Sequence, residues 1–410
     1  MQQTEPLCSG SGPNVNNYLQ LVTKIYNYKV CPRQDYICFE RHSNKGLTGE
    51  IRLKESAGKS RESKNKPVSL KVIAQHLRLS PATISAVIND SPTARRIPRE
   101  TKDRVLKAVA QFQYQPNYYA RSLRQNRTFT VAVVVPEVSE GYAASVIGGI
   151  EDRLTKDDYL YLVVSHHGNQ RQLERYPSLL RNRAVEGFIL VNTPPSDDIE
   201  VPIVAISTHA HSKDVTNILL DNNAAVRMAL EHLVALGHRH IAFFKGHPGS
   251  ADTEPRWNAI CSIAAEMNIP LDPDLSIQLR GRTGVPEPST PEEGYFYARK
   301  LLDTGKRFTA LFAFNDISAI GAISAFRDAG LSVPGDVSVV GFDDIKAAAF
   351  QNPRLTTVRQ PLQRMGELAA SKLLERIGSS EYHPQDIYVD PELVIRESTC
   401  AIGSRHSGDK

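Results

Sequence analysis

Val68-Ser-Leu-Lys-Val-Ile-Ala-Gln-His-Leu-Arg-Leu-Ser-Pro-Ala-Thr-Ile-Ser-Ala-Val-Ile-Asn89 is the stretch on which the reading of this chain turns. Ser69 is placed to cap a helix whose apolar residues Leu70, Ile73, Ala74 and Leu77 recur at i, i+3, i+4 and i+7. A second start follows at once, with Ser80 as N-cap and Pro81 at the first helical position, where its missing N–H costs nothing. Ile84, Val87 and Ile88 share one face of this second helix, which turns Ala82, Ser85, Ala86 and Asn89 outward. A third helix opens at Pro98 and buries Val105, Ala108, Val109 and Phe112 at the same spacing. Three short helices with one tight turn match a helix-turn-helix, whose second helix lies in the major groove of DNA; a plain three-helix bundle is the competing pattern.

Charge along the chain favours the first of these. Residues 67–127 hold 11 basic and 3 acidic side chains, residues 1–66 hold 11 and 6, and residues 128–410 hold 27 and 36. The net values of +8, +5 and −9 are what an anionic polymer would ask of the N-terminal part alone.

Downstream of the third helix runs Tyr114-Gln-Pro-Asn-Tyr-Tyr-Ala-Arg-Ser-Leu-Arg124, in which Asn117 can cap a short helix carrying two arginines and a leucine. With Val68-Ser-Leu-x-x-Ile-Ala and Leu79-Ser-Pro-Ala-Thr-Ile-Ser-x-Val-Ile-Asn89, this segment resembles the lactose-repressor (LacI) family, and the resemblance runs from Val68 to about Cys400. The resemblance implies a hinge helix at 116–127 that folds on DNA. Leu123 matches the leucine that wedges into the minor groove at the centre of a palindromic site, where an apolar wedge unstacks a base step and bends the duplex. Thr83, Ser85 and Asn89 match positions that meet backbone or base edges. Ser80 and Ser122 belong to the same surface, and Arg121 and Arg124 add phosphate attraction.

The head departs from the family pattern at three places. Arg78 stands where the turn usually has glycine, which predicts a strained or reshaped turn. Pro81, Ala82 and Ala86 fall where base-reading side chains are expected, and none of them can form a side-chain hydrogen bond. Readout by thymine-methyl contact and by fit is therefore expected. The segment Asn89–Ile97 is about three residues longer than usual and contains Arg95 and Arg96, assigned as phosphate contacts.

From residue 128 on, short β-rich runs alternate with amphipathic helical stretches, the pattern of βαβ units. Strands are predicted at Thr130–Val135, Tyr161–Ser165, Gly187–Val191, Ile203–Ile206, His240–Phe244, Ala310–Ala313 and Ser338–Gly341. Helices are predicted at Ala225–Leu236, Glu293–Leu302 and Leu362–Ile377. Val185-Glu-Gly-Phe-Ile-Leu190, Ala313-Phe-Asn-Asp316 and Val339-Val-Gly-Phe-Asp-Asp344 resemble the family's effector domain, which shares its fold with periplasmic sugar-binding proteins. That implies two doubly wound parallel-sheet subdomains of the periplasmic-binding-protein type, crossed by three strands, with a ligand between them.

By the same resemblance Arg256 is the effector-binding arginine, its fork suited to hydroxyls, carboxylates or phosphates. Asp343 matches the acidic residue that accepts from ligand hydroxyls or amines, and Tyr142, Asn315 and Phe342 match further cleft positions. Capping of the following helices by Asn315 and Asp343, and core packing of Phe342, are the alternatives. Ser207 stands where sugar-binding members often carry aspartate, Ser289 where some carry an aromatic, and Ala259 replaces a frequent glycine, so the effector is a small molecule with saccharides one candidate class.

The predicted organisation is an all-α head on an α/β core. It comprises a disordered extension at 1–66, a helix-turn-helix domain at 67–115, the hinge at 116–127, a core at 128–402 and a tail at 403–410. The core divides into an N-subdomain of 128–221 plus 359–384 and a C-subdomain of 222–358 plus 385–402. The predicted partners are palindromic double-stranded DNA, a second copy of the chain and the effector; no cofactor, metal or membrane is expected, and the cytoplasm is the expected location. The five cysteines make no CxxC or Cys/His metal spacing. His166, His167, His209, His211, His238 and His240 come in close pairs whose spacings do not share a helix face, and are read as surface or turn residues. No GxSxG, P-loop, HExxH or GxGxxG occurs in a suitable context, which argues against an enzyme. A transport-type binding protein would share the core but need a secretion signal in place of the head, and an architectural DNA protein would share the wedge without effector control.

Overall fold

The computed structural model describes residues 28–29, 40–41, 68–114, 122, 127–138, 141–196, 198–208, 214–280, 289–379 and 383–403. The chain divides between Gln113 and Tyr114 into two units. In the first 66 residues, Tyr28–Lys29 pairs antiparallel with Glu40–Arg41, and the rest of the predicted extension lies outside the described residues.

In the head, α1 (Leu70–Leu77), α2 (Pro81–Ile88) and α3 (Arg99–Gln111) pack around Ile73, Ala74, Ile84, Val87, Val105 and Ala108. Ser69 occupies the N-cap of α1, but its hydroxyl makes no cap bond; the first turn closes through Val72 N–H to the Ser69 carbonyl at 2.9 Å, so the expected side-chain cap is corrected. Ser80 does cap α2, its Oγ accepting from Thr83 N–H at 3.1 Å. Arg78 takes the left-handed conformation, with φ +55°, and the Leu79 N–H reaches the Ala74 carbonyl at 3.0 Å. The turn keeps the backbone a glycine would give it, at a cost of about 1 kcal/mol in Cβ strain. Within the long α2–α3 connection a 3₁₀ turn, Pro92–Arg96, buries Ala94.

The core begins with β1 (Thr130–Val135), whose two faces are both covered: Val131, Val133 and Val135 join one apolar cluster, Ala132 and Val134 another. Burial on both faces is what turns a strand sequence into an unbroken apolar run. Then come α4 (Gly141–Leu154), β2 (Leu160–Ser165), α5 (Gln170–Arg181), β3 (Phe188–Val191), β4 (Ile203–Ile206) and β5 (Val215–Leu220). The second subdomain contains α6 (Asn222–Ala235), β6 (Ile241–Lys245), α7 (Thr253–Glu266), β7 (Ser276–Gln278), α8 (Pro291–Asp303), β8 (Ala310–Phe312), α9 (Asp316–Asp328), β9 (Ser338–Asp343), α10 (Lys346–Phe350) and β10 (Thr356–Arg359). α11 (Leu362–Gly378), β11 (Asp386–Val389) and β12 (Glu392–Val394) complete the chain.

One sheet has the order β11-β5-β4-β3-β1-β2 and is parallel throughout; the other, β12-β10-β9-β8-β6-β7, is parallel except for β12 against β10. The predicted boundary inside 385–402 is corrected: Asp386–Val389 pairs with Asn217–Leu220 in the first sheet, and only after Val389 does the chain return to the second. Asn217, buried in β5, ties the added strand by donating to Asp386 at 2.7 Å. β11 and β12 are too short and too polar to read as strands locally, as neither alternates cleanly. Each subdomain also holds one close helix pair. A Cβ on Gly149 of α4 would stand 1.9 Å from the Gln363 carbonyl, and one on Gly366 of α11 would stand 2.1 Å from that of Val146; Gly294 and Gly321 do the same for α8 and α9.

Candidate functional site

On the head, Pro81 and Ala82 are exposed and Ala86 is half-buried, as the outward face requires. The polar residues of that face are engaged with one another: Thr83 Oγ1 lies 2.8 Å from Ser80 Oγ, and Asn89 Nδ2 donates to the Ser85 carbonyl at 2.7 Å and to its hydroxyl at 3.2 Å. Arg95 and Arg96 are exposed at the end of the 3₁₀ turn. Asn117, Arg121, Leu123 and Arg124 lie outside the described residues; Ser122 is helical and half-buried.

Where the chain enters the core, Glu186 gathers the linker's end. Its carboxylate accepts from the Thr128 and Phe129 amides and, at 2.9 Å each, from Arg127 Nε and the Tyr159 hydroxyl. These bonds outweigh burial and hold the carboxyl below its usual range.

The core cavity, of about 200 Å³, is walled by both subdomains at the carboxyl ends of their strands. One wall holds Glu137, Tyr142, His166 and Asn192, the other His247, Asp252, Arg256, Phe314, Asn315 and Asp343, with Gln360 on the crossover after β10. Several residues at or just past strand ends take left-handed backbone: Asn192 (φ +45°), Ser207 (φ +52°), Asp343 (φ +111°) and Asp344 (φ +56°). The strain at the last pair is held by Asp344, which accepts from Arg359 at 2.7 Å and Arg396 at 2.6 Å.

Arg256 is 3% exposed and clamped on every side. Its Nη1 donates to the Phe314 carbonyl at 2.7 Å and its Nε to Asn222 at 3.3 Å, while Asp252 lies 3.9 Å from Nη2. Phe342 stands 3.5 Å beneath the guanidinium and Phe314 4.5 Å away on its own ring. Burial lowers its pKa, against the pull of Asp252, Asp343 and Tyr142. Burial also pushes Asp343 up to about 7, with Arg256 and the bond from Gln360 Nε2 at 2.7 Å pulling the other way.

The predicted cleft residues therefore separate. Tyr142, Arg256, Asn315 and Asp343 all line the cavity, Asn315 also capping α9 with its side chain on Ser318 N–H. Phe342 is corrected: it is fully buried behind Arg256, and Phe314, one position before Asn315, is the aromatic that reaches the cavity. Ser207 is corrected as well, since it is fully buried outside the lining and accepts from the Tyr142 hydroxyl at 3.1 Å.

Two of the histidines read as surface or turn residues are buried. His166 is buried in the cavity wall, its Nδ1 accepting from Gly168 N–H and its Nε2 3.1 Å from Thr193 Oγ1; burial and His167 lower it to about 4, so it is neutral. His238 is buried at its turn between Thr309 and the Cys400 carbonyl. Asp252, His247 and Gln360 were not singled out from the sequence. Gln360 sits in Leu355-Thr-Thr-Val-x-Gln-Pro361, a run that resembles the family and was the one available signal for it. Among the described residues no cluster of His, Cys, Asp or Glu is arranged to hold a metal, and no helix is long and apolar enough to cross a membrane.

Residues 69–117 match the family of bacterial regulatory proteins designated lacI, and residues 230–399 match the periplasmic binding protein-like domain. The chain is 31% identical over 341 residues to the HTH-type transcriptional repressor PurR of Yersinia pestis bv. Antiqua, spanning 81% of this chain and 97% of that protein. Among solved structures, the Lac repressor dimer bound to operator and the anti-inducer ONPF superposes with a TM-score of 0.70 over 82% of this chain and 100% of that one; at 24% identity this is a likeness of fold. The transcriptional regulator CelR–cellobiose complex superposes with a TM-score of 0.60 at 26% identity, over 81% and 99%. A LacI family regulator from Enterococcus faecium with bound ribose gives 0.59 at 26%, over 67% and 99%. With a DNA-binding head, a two-subdomain core and a repressor relative matched along nearly its whole length, the chain belongs to the lacI family of bacterial regulatory proteins.

Proposed function

We propose that the chain is a cytoplasmic transcriptional repressor that binds a palindromic operator in double-stranded DNA as a homodimer, and whose grip on DNA changes when a small molecule, with saccharides the leading class, enters the core cavity. The observation that carries this reading is the cavity itself, whose polar groups come from both subdomains, so that a bound molecule bridges them. A ligand that bridges favours one subdomain arrangement over another by its differential affinity, and the hinge following Tyr114 would transmit the difference to DNA. Whether the ligand releases DNA or tightens the hold follows from which arrangement it favours. The cellobiose and ribose held by two of the superposed regulators support the saccharide class. The protein acts by binding rather than by catalysis.

In the head, Ser80, Thr83, Ser85 and Asn89 would approach the duplex alongside the apolar contacts of Pro81, Ala82 and Ala86, with Arg95, Arg96, Asn117, Arg121, Ser122 and Arg124 on phosphates and Leu123 as the minor-groove wedge. In the core, Tyr142, Arg256, Asn315 and Asp343 would face the effector, Ser207 and Phe342 holding Tyr142 and Arg256 from behind.

The test is operator selection from random duplexes with the full chain, followed by fluorescence anisotropy on the selected DNA against a metabolite panel. One ligand class should change operator affinity at least tenfold; indifference to the whole panel would remove effector control. Leu123→Ala should weaken operator binding, and Ala86→Gln should change the operator selected. Affinity should fall by about three orders of magnitude between 50 and 200 mM salt; salt-insensitive binding would sink the phosphate contacts.

A further inference from the structure

The charged groups that line the core cavity are unequal in number. Among the described lining residues Arg256 is the one cation, against the carboxylates of Glu137, Asp252 and Asp343. Arg256 is already engaged within the protein: two of its N–H groups donate to Phe314 O and Asn222, the Asp252 carboxylate lies 3.9 Å from Nη2, and its faces are covered by aromatic rings. A second observation agrees in sign. Gln360, 3% exposed, gives its Nε2 to Asp343 and leaves its Oε1 without a partner. His247, 8% exposed, lies 2.8 Å from Glu293 through Nε2, and its Nδ1 has no partner. Buried acceptors left unpaired are costly, and a ligand supplying donors would relieve them.

On the reading of this cavity as the effector site, we infer that it selects uncharged or cationic ligands rich in N–H or O–H donors and rejects phosphorylated and carboxylated ones. A hydroxyl or amine brought to Gln360 Oε1 and Asp343 meets an acceptor the protein leaves open and a carboxyl beside it. A phosphate there meets an unpaired acceptor and like charge, which a desolvated interface penalises. The raised Asp343 carboxyl fits: a donor against it would hold it ionised, and an anion would push it higher.

The experiment is thermal shift and titration calorimetry of the full chain against matched sets that differ only in charge: ribose and ribose 5-phosphate; glucose, glucosamine, gluconate and glucose 6-phosphate; adenosine and adenosine monophosphate; and inorganic phosphate alone. Binding should be confined to neutral and amine members, with each anionic counterpart at least 100-fold weaker. Asp343→Asn, which keeps the volume and removes one negative charge, should narrow that gap at least tenfold. An anionic member that binds as tightly as its neutral partner overturns the charge selection while leaving effector control intact. Stabilisation by no member at all overturns the effector reading together with the selection built on it.

Discussion

In the head, side chains offered to a partner sit on an eight-residue helix and are held by neighbours within four positions: Ser80 by Thr83, Asn89 by Ser85. In the core, Arg256 is held by groups 34 and 58 residues away in sequence, and Glu186 by groups up to 59 away. The first arrangement leaves small exposed groups whose specificity depends on what the DNA offers. The second fixes charged groups in a dry setting, where each must be balanced before a ligand arrives. A mutation should therefore be nearly local in the head and propagate in the core.

The largest effect should come from Arg256→Met. Removing the cation leaves Asp252 and Asp343 buried without it, and breaking a buried charged pair costs about 3–5 kcal/mol. Urea unfolding of the full chain should show a loss of that order, and any ligand response should vanish. A loss under 1 kcal/mol would mean the cavity's charges are not interdependent. Next, Glu186→Ala should strip the Thr128 and Phe129 amides of their acceptor. A lost charged hydrogen bond is worth about 1.5–3 kcal/mol, so hydrogen exchange at both amides should speed at least tenfold, while α2 exchanges as before.

pH gives a third, smaller test. His166, lowered to about 4 from 6.5, binds fewer protons folded than unfolded, so stability is present above pH 6.5 and is lost as pH falls toward 4. Solvent screening holds its share to about 1–2 kcal/mol. His166→Gln should flatten the acid limb of the stability profile; an unchanged limb would assign the loss to other groups, such as His232 and His238, whose pKa values burial also lowers. The smallest effects belong to the head. Ser80→Ala should destabilise α2 by about 1 kcal/mol through its lost cap. Arg78→Gly should stabilise the turn by about 0.5–1 kcal/mol by relieving the left-handed strain. Hydrogen exchange in α1 and α2 reads both, and a destabilised Arg78→Gly would show that the arginine side chain contributes more than its backbone costs.

What could be read from the sequence follows the same division. β4 (Ile203–Ile206) and β1 (Thr130–Val135) have the predicted bounds because burial on both faces writes an apolar run into them. β5, β7 and β10 to β12 were not predicted. β5 is fully buried yet contains Thr216 and Asn217, which bond to the chain around Gln385 and Asp386 and so look polar only out of context. In the cleft, Arg256 and Asp343 were legible through the resemblance to the family, but Phe314 and Phe342 are two aromatics on neighbouring strand ends. Local pattern does not say which faces the cavity and which lies behind the arginine. His247 carries no spacing signal, because its partner Glu293 is on α8, whereas Asp252 stands four residues before Arg256, a spacing the sequence does show.

By itself the sequence determined the helix-turn-helix, with Ser80 and Pro81 starting its second helix, the α/β alternation of the core and the charge division between them. Each of these depends on interactions within about four residues or on burial period alone. Only the tertiary structure decided where β11 pairs, that Arg256 is already balanced, and that Gln360 leaves an acceptor open. Those facts depend on which distant groups meet in a low-dielectric cavity, and sequence distance carries no record of that meeting.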